Sequence, residues 1–220
     1  MSNPVRVKIC GVTSQQLMRD VGNAGAQYAG LVFFEKSPRN LSLDKARSIA
    51  LEAPTGLAKV ALLVNPSDRF LDSLTTTVPL DMIQLHGSET PERVSEIKQK
   101  TGLPVMKAIG VAEKDDLRKL DVYATVADQL MVDAKPAKDA ILPGGNGYAF
   151  DWSLLQGRRW TGPWMLAGGL KPENVAQAIA ITGAQQIDVS SGVEICPGKK
   201  DKQKINAFVR AAQTRSLAAT

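Results

Sequence analysis

The chain has 220 residues, of which 44% are hydrophobic and 22% charged, and its 27 basic and 22 acidic side chains give a formal charge of +5 and a pI near 9.2. Such proportions describe one globular domain or two small ones and exclude a disordered chain or a collagen-like fibre. Two cysteines cannot staple this length, which excludes a disulfide mini-protein, and one histidine excludes chemistry that needs two.

Short β-branched or apolar runs recur along the chain at Val5–Cys10, Tyr28–Phe33, Leu57–Val64, Met82–His86, Pro104–Ile109, Gln129–Lys135, Trp164–Gly168 and Gln186–Ser191. Helical spacing fills the gaps. Leu43, Ala46, Ile49 and Ala50 form one apolar face, as do Val175, Ala178, Ile179 and Thr182. Ser14 and Ser42 are N-cap signals for Gln15–Asn23 and Leu43–Leu51, and Pro91 and Pro172 mark first helical turns. Gly25, Gly102 and Gly183 read as helix-closing glycines before the next strand. The sixth unit is weakest: Leu142–Phe150 is rich in Gly and Pro and reads as a long loop before a short helix from Trp152.

Eight β units at this spacing predict an α/β fold, a single-domain (β/α)₈ TIM barrel with a parallel eight-stranded barrel over residues 1–220 and a short tail from about 214. An open doubly wound sheet competes, but Cys10-Gly11-Val12-Thr13 after the first run is not its Gly-rich turn. No apolar run approaches the roughly 20 residues of a membrane span. The opening MSNPVRVKIC lacks a signal peptide's apolar core, so the expectation is a cytoplasmic protein.

Barrel chemistry gathers where strands run into the following loops. Those ends carry Cys10, Arg39 in the loop after the second strand, His86, Asp133, Gly168-Gly169 and Ser191-Gly192. Strand parity puts Lys8 with Cys10, Gln84 with His86 and Lys135 with Asp133, facing the barrel axis, while Val5, Val7 and Ile9 face helices. Buried cations need partners, and Asp133 and Asp188 are the candidates for Lys8 and Lys107.

KICGVT at 8–13, SPRN at 37–40, QLHGSE at 84–89, VDAK at 132–135, GGNGYAFDW at 144–152, LAGGLKPENV at 166–175 and DVSSGVE at 188–194 together resemble the phosphoribosylanthranilate isomerase family of tryptophan biosynthesis. The motifs run in order from residue 7 to about 201. The resemblance implies a (β/α)₈ barrel and an Amadori rearrangement without cofactor or metal. N-(5-phosphoribosyl)anthranilate becomes 1-(2-carboxyphenylamino)-1-deoxyribulose 5-phosphate. It also implies Cys10 as general base, Asp133 as general acid and Arg39 as the clamp on the anthranilate carboxylate.

The residue chemistry agrees with tensions. Cys10 acts as a base only as thiolate, which Lys8 on the same face favours. Asp133 must be protonated when it acts, while Lys135 favours its charged form, so Lys135 is expected deeper in the sixth loop or on the anionic ligand. Gly168, Gly169, Ser191 and Gly192 supply backbone donors for the phosphate, assisted by a short helix beginning near Val193. Gly145 and Gly147 read as a lid. His86 is read as a mouth residue touching substrate, ahead of proton transfer. Lys199–Lys202 reads as a solvated helix start, and Cys196 as a thiol able to approach Cys10.

Rival readings are weaker. The related histidine-pathway isomerase expects an aspartate where Cys10 stands, and the fifth strand ends in Ala108-Ile109. The basic charges are scattered without aromatic interleaving, which argues against nucleic acid. The expected partner is therefore a small anionic substrate, with no nucleic acid, no membrane and a monomeric chain.

Overall fold

In the computed structural model, residues 4–135, 144, 147 and 149–213 are described. Eight strands alternate with helices: β1 (Arg6–Cys10), α1 (Gln15–Asn23), β2 (Tyr28–Phe33), α2 (Leu43–Ala50), β3 (Ala58–Leu63), α3 (Asp68–Thr77), β4 (Met82–Leu85), α4 (Pro91–Thr101), β5 (Val105–Val111), α5 (Leu117–Tyr123), β6 (Gln129–Ala134), β7 (Trp164–Leu166), α6 (Val175–Thr182) and β8 (Gln186–Val189). A hairpin of β9 (Glu194–Cys196) and β10 (Lys199–Lys200) follows, then α7 (Lys202–Gln213). All neighbouring barrel strands pair parallel, and β1 closes on β8 through the register Lys8↔Asp188. The structure is the (β/α)₈ barrel that the eight runs predict.

Local signals explain the helix starts. Ser14, Ser42, Ser67 and Thr90 each accept a hydrogen bond from the backbone N–H three residues on, at Leu17, Lys45, Phe70 and Arg93. Gly102 and Gly183 close α4 and α6 in the left-handed conformation. Pro172 is displaced from its expected place: it lies in a turn three residues before α6. Between β6 and β7, the described residues hold only a short 3₁₀ turn, Trp152–Leu155.

Parity divides the interior in two. Val7, Ile9, Leu31, Ile83 and Ile187 face outward into the shell between strands and helices, with Phe208 and Val209 of α7. Inside the barrel lie Val60, Met106, Met131 and Met165. Above them toward the strand C-termini come the polar residues Lys8, Gln84, Lys107 and Asp188, all buried. The apolar layer carries stability and the polar layer is the floor of the site.

Candidate active site

The polar floor is paired. Lys8 Nζ lies 2.7 Å from Asp188 Oδ1, across the strand pair that closes the barrel. Lys107 Nζ donates to Glu89 Oε2 and to the Gly87 carbonyl, each at 2.7 Å. Neither lysine takes Asp133, so one expected pairing is replaced. Glu89, in the loop after β4, is a partner that strand parity does not reveal.

Above the floor opens a cavity of about 820 Å³, part of it open to solvent, lined by Cys10, Arg39, Gln84, His86, Asp133, Gly144, Gly147, Gly168, Gly169, Asp188, Ser190 and Ser191. Most of the expected set is thus brought together. Lys8 lies beneath the lining. Gly192 stands behind it, where a Cβ would fall 2.0 Å from the Leu170 carbonyl oxygen, so its bareness lets the seventh and eighth loops meet. Gly147 reaches the rim, whereas Gly145 of the expected lid lies outside the described residues.

Cys10 ends β1 and is buried. Burial pushes its thiol up; Lys8 and Lys200 pull it down and Asp188 adds to the rise, and the net shift is upward. Lys8 therefore acts in the expected direction without prevailing. Its own ammonium is opposed by burial, yet Asp188 and Cys10 hold its pKa above the ordinary value. The sequence reading missed Gly30 on β2. A Cβ there would lie 2.9 Å from Cys10 Sγ, 3.0 Å from Cys10 Cα and 3.1 Å from Lys8 Nζ. Two hydrogen-bonded strands cannot separate to admit it. Gly30→Ala is expected to cost about 1–3 kcal/mol in a urea melt, as over-packing does, and to lower turnover with it.

Asp133 ends β6. Its Oδ1 accepts from the Ala134 amide at 2.8 Å, and its Oδ2 lies 3.1 Å from His86 Nε2. His86 is therefore more than a mouth residue: it is in direct contact with the candidate acid, with β5 between their two strands. Gly144 covers the pair, since a Cβ there would fall 2.6 Å from Asp133 Oδ2. Lys135 departs from expectation. β6 ends at Ala134, parity lapses, and Lys135 turns outward to Asp116 Oδ1 at 2.8 Å. It does not contest the proton on Asp133.

Arg39 is already engaged. Its Nε and Nη2 donate to the two carboxylate oxygens of Glu194 at 2.8 and 2.7 Å. Lys200, expected in solvent, is instead buried and donates to Glu194 Oε1 at 2.7 Å, to the Ser190 carbonyl and to Ser190 Oγ. The cause is the β9–β10 hairpin, which folds Lys200 back under the eighth loop. The same hairpin replaces the helix expected near Val193: Ser191–Val193 is one 3₁₀ turn. Burial raises the Glu194 carboxyl, but the Arg39 fork and Lys200 outweigh it and hold its pKa at about 2. Cys196 is exposed on β9 while Cys10 is buried, and both are free thiols.

A closed (β/α)₈ barrel whose strand C-termini surround one cavity with a thiol, a carboxyl, a guanidinium and paired glycine loops belongs to the class of barrel enzymes that act on small anionic substrates. The family model described as N-(5'-phosphoribosyl)anthranilate (PRA) isomerase matches residues 7–211. Among curated relatives, the N-(5'-phosphoribosyl)anthranilate isomerase of Ruegeria sp. is 60% identical over 210 residues, covering 95% of this chain and 98% of that one. That of Cereibacter sphaeroides is 56% identical over 209 residues, covering 95% and 99%. The crystal structure of the Thermotoga maritima enzyme matches with a TM-score of 0.86 and 36% identity over 96% of this chain and 99% of that one. The chain belongs to the N-(5'-phosphoribosyl)anthranilate isomerase family, which performs an isomerisation step of tryptophan biosynthesis.

Proposed function

We propose that in this isomerase Asp133 is the general acid, Cys10 the general base and Arg39 a contact for the anthranilate carboxylate. The observation that carries the reading is their convergence on one cavity with the glycine loops after β7 and β8. In the rearrangement the Asp133 carboxyl gives its proton to the ribofuranose ring oxygen, the C1′–O bond breaks and an iminium forms. The Cys10 thiolate then takes the proton from C2′, and the enolamine tautomerises to the ketone. Each proton that Cys10 gains and Asp133 loses returns through solvent, so the cycle balances. Gly168 and Gly169, both with positive φ, and Ser191 turn backbone donors toward the phosphate.

Since Glu194 holds the Nε edge of Arg39, the edge bearing Nη1 is the one we assign to the substrate carboxylate. Arg39→Ala is expected to raise KM for phosphoribosylanthranilate by at least tenfold with a smaller change in kcat, in an assay following loss of substrate fluorescence. Unchanged KM removes Arg39 from the binding site, and absence of turnover by the unaltered chain overturns the whole reading. A monomeric chain is part of the same proposal, and light scattering at working concentration tests it. Among the described residues no helix is long and apolar enough to cross a membrane, in keeping with the cytoplasmic assignment we propose.

A further inference from the structure

Gln84 is fully buried on β4, and its Oε1 is one of three buried side-chain atoms left without a hydrogen-bond partner among the described residues. The opposite end of the same amide is engaged: Nε2 lies 3.1 Å from His86 Nδ1 and 3.3 Å from Met131 Sδ. With the amide in this orientation its nitrogen only donates, which makes Nδ1 the acceptor and puts the proton of a neutral ring on Nε2. That N–H points at Asp133 Oδ2, 3.1 Å away, while Asp133 Oδ1 accepts from Ala134. Every hydrogen bond in this arrangement is one that an ionised carboxylate makes. A general acid needs the opposite arrangement.

The orphan oxygen supplies it. Turning the Gln84 amide over places Oε1 against Nδ1, gives up the weak contact to Met131 Sδ, and moves the amide N–H groups to the place where Oε1 had no partner. Nδ1 then carries a proton, and Nε2 and Asp133 Oδ2 share a second one, which is the carboxyl form. We propose that Gln84 is a positioning residue that sets the His86 tautomer and, through it, the protonation of Asp133. The inference rests on the assignment of Asp133 as the acid. In one amide orientation the Asp133–His86 pair holds one proton, and in the other it holds two, the extra proton coming from solvent.

The neighbouring charged and titratable groups are Cys10 and Lys8 on β1, Arg39 after β2, Lys107 on β5 and Asp188 on β8. Lys8 is held by Asp188, Lys107 by Glu89 and Arg39 by Glu194, which leaves Cys10 as the other group free to titrate with the pair. The active form needs Cys10 without its proton and Asp133 with one, the reverse of their ordinary order of ionisation. The low-pH limb of kcat/KM therefore reports the Asp133–His86 pair and the high-pH limb reports Cys10.

Gln84→Met keeps the volume and removes the acceptor. It is expected to move the low-pH limb down by about one unit and lower the plateau of kcat/KM about tenfold, leaving the high-pH limb in place. Gln84→Glu, which only accepts, is expected to move the low-pH limb up. Because His86 is the chain's one histidine, nitrogen NMR of tag-free protein reads its tautomer without assignment. Nδ1 is expected bare above the low-pH limb and protonated below it, or when the product is bound. A Gln84→Met profile that falls without moving its limb overturns the proposal, and so does an Nδ1 that stays bare throughout. Asp133→Asn at full turnover would instead overturn the assignment of the acid, which separates the two failures.

Discussion

Asp133→Asn and Cys10→Ser are each expected to lower kcat by about 10²–10⁴-fold, the range that a positioned acid or base contributes. Asparagine keeps the shape of Asp133 and still accepts from the Ala134 amide, but it has no proton to give to the ring oxygen. Serine keeps the size of Cys10, yet its hydroxyl does not ionise near neutral pH. Both changes are nearly isosteric at buried positions, so urea melts should stay close to those of the unaltered chain while turnover collapses. In the proposed mechanism the two groups act on one substrate in sequence, so the double variant should lose little more than the worse single one. Full turnover by both single variants in the fluorescence assay would remove the acid–base assignment.

The strands and their faces were legible because each is a short apolar run whose period of two separates Val7 and Ile9 from Lys8 and Cys10. Four helix starts carry a serine or threonine cap within the sequence itself. The strand-end positions of Cys10 and Asp133 follow from the same counting, and seven motifs in order were enough to indicate the family that the comparisons show. The side-chain partners were not legible, for a geometric reason. His86 and Asp133 come from the ends of β4 and β6, which are not paired with each other but flank β5, so no strand pairing announces their contact. Arg39 and Glu194 are 155 positions apart. Lys200 sits in a basic run, and such runs default to solvent; a two-residue strand gives no periodic signal that it will be folded inward. Parity also fails at strand ends, where Lys135 leaves the face of Asp133 as the ladder stops. A close approach such as Gly30 to Cys10 leaves no trace in composition, although the Tyr-Ala-Gly-Leu run could have raised the question of why a buried strand carries a glycine.

Glu194→Gln is expected to destabilise the fold by about 3–5 kcal/mol, the cost of removing one partner from a buried ion cluster. The Glu194 carboxylate stands between two buried cations, Arg39 from the loop after β2 and Lys200 from β10, and both lose their counter-charge together. Lys200→Met should cost less, because the bidentate Arg39–Glu194 pair survives it with charges balanced. The order of the two urea midpoints near neutral pH tests this, and Lys200→Met as the more damaging change would refute it. The pH dependence has a definite sign. The folded carboxyl sits at about 2 against an ordinary 4.5, so its stabilisation is complete above about 4.5 and is lost as the pH falls toward 2. The unaltered chain should therefore lose stability more steeply than Glu194→Gln over that window, and parallel slopes would show that the carboxylate is not what ties the second loop to the eighth. Since Lys200 also favours the Cys10 thiolate, its replacement should move the high-pH limb of kcat/KM further up, so that the cluster that ties the two loops together also bears on the proposed base.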